Sequence, residues 1–128
     1  MAYLLDTHAF LWFVAGDKKL PTTIKEKIMD INESCFLSVV SLWEITIKKQ
    51  IGKLVLNISL EELFEYADRN RIEIIQITYE HLLTLAKLPE HHSDPFDRLI
   101  VSQAIAENLT LFSKDKLLKK YKIKQKWA

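Results

Sequence analysis

The chain has 128 residues, 48% hydrophobic and 27% charged, values that fit a single folded domain over 1–128 and exclude a disordered or low-complexity segment. With 18 Lys and Arg against 17 Asp and Glu the net charge is +1, too balanced to mark a nucleic-acid binder by charge alone. The one cysteine, Cys35, excludes an internal disulfide and points to a reducing compartment.

In chain order, the apolar run 2–5 (AYLL) reads as a strand that stops at Asp6, and residues 7–16 follow with helical spacing. This stretch lacks a basic leader and Asp6 interrupts it, so it does not read as an export signal. Residues 21–33 open with Pro21 and Thr22 and place Ile24, Ile28 and Ile31 on one helical face. Residues 35–38 are a short buried-strand candidate. Residues 39–52 repeat apolar side chains at Val40, Trp43, Ile47 and Ile51, with Gly52 as a stop. Ser59 and Glu62 have the capping-box spacing for a helix over 59–70. The β-branched run 72–77 reads as a strand, and 78–88 as a helix ended by Pro89. A helix from Pro95 to about Asn108, a strand at 109–113, a short helix at 114–121 and an edge strand at 122–127 complete the chain. No stretch approaches the roughly 18 apolar residues of a membrane span, and a cytoplasmic protein is expected.

Short apolar strands alternating with helices indicate an α/β domain with a mainly parallel sheet. The carboxyl ends of such strands share one edge, where the ligand crevice of an open sheet lies. Asp6 ends the first strand, and Asp115 stands two residues past Ser113 at the end of another. Asp97 precedes Ile100 and Val101 by three and four residues, with Ala104 and Ile105 beyond, so it sits on an apolar helix face. A carboxylate there is costly unless something compensates it. Glu44 is flanked on its own face by Val40, Ile47 and Ile51, which points it inward.

Each acid also has a purely structural reading. Asp6 and Asp115 can cap the helices that follow them, and Glu44 can pair with Lys48 one turn on. Asp94 reads as an N-cap with Pro95 at the first helical position, and Asp97 as an acid favoured in the first turn. Taken together, the fold would converge four carboxylates on one rim, and the motifs bring no equal supply of bases. Such groups repel one another, and burial raises their pKa values. A hard divalent cation such as Mg²⁺ relieves both costs. One or two such ions can activate water for phosphodiester cleavage.

The segments YLLDTHAFLW, SVVSLWEITIKKQIGKL, HHSDPFDRLIVSQA and LFSKDKLLKKY resemble the successive motifs of the PIN-domain family, in particular VapC-type toxins of bacterial type II toxin–antitoxin systems. The resemblance covers nearly the whole chain, in order, and DPFDRLIVSQA is its most specific part. It implies a three-layer sandwich, with a central, mainly parallel sheet of four to five strands and helices on both faces. It further implies a Mg²⁺- or Mn²⁺-dependent endoribonuclease, an RNA substrate, a cognate antitoxin and a homodimer. The family's acids map onto Asp6, Glu44, Asp97 and Asp115, as metal-holding and catalytic residues, with Asp94 and Ser113 in support.

Lys48, Lys49 and Arg98 are candidates for RNA phosphate contacts. So is the C-terminal run from Lys114 to Lys126, which reads equally as a solvated lysine face. His91 and His92 read as a solvated loop, because a zinc or iron site needs three or four such ligands. His8 reads as a packed or capping histidine. Trp12 and Trp43 read as core or interface side chains, and Trp127 as either of these or a base-stacking platform. An aspartyl phosphotransferase with Asp6 as nucleophile would usually carry a second Asp two residues on, where this chain has His8. A catalytically silent PIN-like module that binds RNA or protein is the alternative.

Overall fold

A computed structural model describes residues 1–128. Five strands, β1 (Ala2–Leu5), β2 (Ser34–Ser38), β3 (Ile72–Ile75), β4 (Thr110–Phe112) and β5 (Lys124–Lys126), form one sheet in the order β3-β2-β1-β4-β5. Every neighbouring pair is parallel. The connections carry helices α1 (Thr7–Ala15), α2 (Thr22–Met29), α3 (Val39–Gln50), α4 (Leu60–Arg69), α5 (Tyr79–Ala86) and α6 (Pro95–Ala106). A 3-10 helix, Lys116–Lys120, joins β4 to β5. No helix is long and apolar enough to cross a membrane.

Period-two alternation in the strands builds two cores. Tyr3, Leu5, Cys35, Leu37 and Phe112 face one side, against Phe10 and Phe13 of α1, Ile24 and Ile28 of α2, and Leu63 and Ala67 of α4. Leu4 and Leu111 face the other, against Leu99, Ile100, Val101 and Ala104 of α6. The result is a three-layer sandwich with both sheet faces covered, which is why the strands read as continuous apolar runs.

The elements fall within a few residues of their sequence signals, the strand expected over 72–77 ending at Ile75 and the helix over 114–121 being the short 3-10 helix, with three larger corrections. Helix α2 stops at Met29 instead of reaching residue 33, because the Asp30 side chain accepts the Asn32 N–H at 2.9 Å and turns the chain. Ile31 is accordingly exposed. In α3 the buried residues are Val40, Ser41, Leu42, Glu44 and Ile45, so the stripe through Trp43 and Ile51 is the outward one. Leu42 and Ile45 pack toward one core and Val40 toward the other, which rotates the helix away from the expected face. Ile105 of α6 is likewise exposed.

The chain visits β1, β2 and β3 in one direction and then crosses to β4 on the opposite side of β1. The order therefore reverses between β1 and β4, and a crevice opens beyond their carboxyl ends. Asp6 N–H donates to Phe112 O at 3.1 Å and ties these two ends together.

Candidate metal centre

Three acids at this edge are pinned by capping. Asp6 Oδ1 accepts the Ala9 N–H at 2.8 Å, Asp94 Oδ1 the Phe96 N–H at 2.9 Å, and Asp115 Oδ1 the Leu117 N–H at 2.9 Å. One oxygen of each carboxylate satisfies a helix start, and the other is left for a second partner. Capping and a role in the crevice are thus compatible.

Glu44 reaches the same region from α3 and is almost fully buried. Thr7 Oγ1 donates to its Oε1 at 2.7 Å, and Lys48 Nζ donates to its Oε2. Asp97 caps nothing. Its Oδ2 lies 3.3 Å from His92 Nε2, and Asp115 Oδ2 lies 3.0 Å from the same nitrogen. These three ligating atoms lie within 4.8 Å of one another. Ser113, at the end of β4, accepts the Asp115 N–H at 3.1 Å and hydrogen-bonds the Asp6 carboxylate. Gln125 of β5 donates from Nε2 to Ser113 O at 3.0 Å and to Asp115 O at 2.8 Å, holding the turn that carries Asp115.

The electrostatics show that these groups share one field. Burial above all, and then Asp94, pushes the Asp97 carboxyl up to about 7, with Glu44 and Asp6 adding to the rise and His92 opposing it. Burial also raises Asp6 above the usual carboxylate range, partly offset by the hydrogen bonds from Ser113 and Ala9. Lys48 is raised by its hydrogen bond to Glu44, with Asp94 and Asp97 contributing. Asp6 and Asp115 line a solvent-open cleft of about 380 Å³ with His8, Trp12 and Lys114. Hard oxygen donors that raise one another's pKa are a donor set suited to a divalent cation of the Mg²⁺ type.

Two bases depart from the expectation of uncompensated acids. Lys48 belongs to the cluster through Glu44, and His92 belongs to it through Asp97 and Asp115. His92 is not a solvated loop residue: its side chain is only 13% exposed. The signal was its place two residues before the Asp94 cap, where its ring can accept the cap's own N–H. Lys49 donates to Ile58 O at 2.9 Å, and Arg98 to Pro89 O at 2.9 Å, so both are engaged with backbone outside the acid cluster. His8 is exposed at the cleft, its ring 5.6 Å from Trp12, which also meets Trp127 edge-on at 5.7 Å. Trp43 is half exposed and packs edge-on against Phe96 at 5.0 Å.

Residues 3–124 match the family described as PIN domain. A comparison with curated protein sequences found no match. Among solved structures the chain is similar to VapBC2 from Rickettsia felis bound to a DNA fragment from their promoter, with TM-score 0.75, 20% identity and full coverage of both chains. It is also similar to VapBC-1 from nontypeable Haemophilus influenzae, with TM-score 0.66 and 17% identity over 98% of this chain and 97% of that one. VapBC-5 from Mycobacterium tuberculosis, of the VapBC family of toxin–antitoxin systems, follows with TM-score 0.64 and 15% identity over 98% and 95%. At these identities the likeness is one of fold.

Proposed function

The chain belongs to the PIN-domain family, and from that premise we propose that it is a metal-dependent endoribonuclease serving as the VapC-type toxin of a toxin–antitoxin pair. The observation that carries this reading is the gathering of Asp6, Glu44 and Asp97 in one electrostatic field at the switch point of the sheet, with Asp115 beside Asp6 in the cleft and within 4.8 Å of Asp97 at its ligating oxygen. Those four residues would hold Mg²⁺ or Mn²⁺, directly or through water. When bound, the cation supplies a lowered pKa for water and positive charge where a transferring phosphoryl group becomes more negative.

The protein's own residues prepare that site. Thr7 and Lys48 hydrogen-bond both oxygens of Glu44 and hold its orientation before loading. Ser113 orients Asp6, and Gln125 holds the Asp115 turn. Asp97, raised to about 7, keeps its proton in a large fraction of metal-free molecules near neutral pH, and cation loading would release that proton. Lys114 at the cleft, with Lys48 in a lesser role, would receive RNA phosphates and set the strand's register. No Ser-His-Asp or Cys-His nucleophile is required.

The partner in this reading is a cognate antitoxin, supported by the fold shared with toxin–antitoxin complexes. A homodimer and a cytoplasmic location belong to the same reading. Purified protein should cleave single-stranded or looped RNA with Mg²⁺ or Mn²⁺ and stop in excess chelator. Undiminished cleavage in chelator would refute the mechanism. Folded, cation-loaded protein that cuts no RNA would favour the silent module. Expression alone should arrest bacterial growth, and co-expression with a small protein encoded beside it should restore growth; normal growth without that protein would remove the toxin reading.

A further inference from the structure

His92 has a geometry that assigns its proton. Its Nδ1 accepts the backbone N–H of Asp94 at 3.0 Å, so that nitrogen carries no hydrogen. In the neutral ring the proton is therefore on Nε2. Nε2 is the atom that faces the acids, 3.0 Å from Asp115 Oδ2 and 3.3 Å from Asp97 Oδ2. The lone pair that a cation would need is thus aimed at the Asp94 backbone. Metal-ligating histidines have the opposite arrangement, with the distal nitrogen donating its hydrogen to a carbonyl or carboxylate. By position alone His92 completes a three-ligand set with Asp97 and Asp115. By its hydrogen bonds it cannot act as one of the three.

We propose that His92 is a positioning residue that stands in for the divalent cation. Its Nε2–H donates to Asp115 Oδ2 and faces Asp97 Oδ2 at 3.3 Å in the metal-free protein, and the Asp115 hydrogen bond must break when a cation takes that oxygen. This deepens the reading above and rests on its cation site. Two carboxyl groups are held within reach of one another by the ring nitrogen set between them, and the acids stay in place without a metal. The same hydrogen bond competes with the cation for Asp115 and weakens its binding. His92 is anchored for this role, because its Nδ1 contact is to the cap residue of the helix that carries Asp97. Loop and helix start are therefore tied to one another.

The test reads binding and ring nitrogens, not turnover. In ¹⁵N-labelled metal-free protein, long-range nitrogen–proton spectra of His92 should show Nε2 protonated and Nδ1 bare. On adding Mg²⁺ the ring should keep that tautomer, while the Nε2 proton shifts upfield and exchanges faster. In Mn²⁺ titrations, His92→Ala should bind about tenfold more tightly than the native protein, since a hydrogen bond to a charged group no longer competes. His92→Gln retains an N–H donor of similar reach and should lie between the two. Weaker or unchanged binding by His92→Ala, or an Nδ1–H tautomer in the native protein, would overturn the proposal while leaving the cation site intact. Absence of Mn²⁺ binding by native and variant proteins alike would instead remove the cation site on which both readings stand. The spectra of the native protein decide the tautomer even if the variants fold poorly.

Discussion

Asp97 concentrates the cost of the site in one side chain. Its carboxyl is raised to about 7 by burial and then by Asp94, Glu44 and Asp6, well above the roughly 3.9 of an unfolded aspartate. The folded state therefore binds more protons than the unfolded one between those two values. The stability that this proton contributes is fully present below about pH 4 and is lost as pH rises through about 7. The shift corresponds to at most about 4 kcal/mol, and partial exposure of the side chain reduces it. In metal-free protein, Asp97→Asn should thus melt several degrees above the native protein at pH 8, and the difference should vanish near pH 4. The same variant should lose RNA cleavage. Asp94→Asn is the control, because Asn caps as well as Asp and should keep the helix start and some cleavage, whereas Asp94→Ala should cost about 1 kcal/mol. If Asp97→Asn stays active and melts lower, Asp97 is a helix-start residue only.

At the scale of elements, helix starts and strand ends carry the candidate acids, and this is why their placement could be read from sequence. Asp6 and Asp115 each stand where a capping signal follows the carboxyl end of a strand, and Asp94 caps α6. The spacing of apolar residues located those starts. It could not orient α3, because a helix wedged between two cores buries two faces, and the stripe through Trp43 and Ile51 lies outside both. Glu44 does point inward, but Thr7 and Lys48 define its setting, and the apolar flank does not. Gln125 was invisible for a different reason. Its role depends on β5 lying beside β4, which no local pattern encodes. Gln125→Ala should release the Ser113 and Asp115 carbonyls, lower divalent-cation affinity roughly tenfold and cost only about 1 kcal/mol of stability. Titration and thermal melting of this variant check both numbers. Unchanged affinity would mean that the 3-10 turn is held without it.

For the whole molecule, an all-parallel sheet with the order β3-β2-β1-β4-β5 makes one crevice at the place where the order reverses. The alternation of short strands and helices predicted that architecture, since crossover connections force the strands to run the same way. The proposed site follows from the topology: β1 delivers Asp6 and β4 delivers Ser113 and Asp115 to the same edge, while α3 and α6 bring Glu44 and Asp97 across it. Long-range pairings such as His92 with Asp115 appear only once the loop before α6 closes over that edge. The wider picture is a scaffold that tolerates repulsion at one rim because two apolar cores stabilise it elsewhere.

The central claim is that this rim is built to hold a divalent cation, and thermal melting with and without Mn²⁺ at neutral pH tests it most directly. A ligand at a hundred times its dissociation constant stabilises the folded state by about 2.7 kcal/mol, so the native protein should melt several degrees higher with saturating Mn²⁺. Asp97→Asn should show little of that rise. A native melting temperature that does not move with Mn²⁺, or a rise of the same size in Asp97→Asn, would contradict the account.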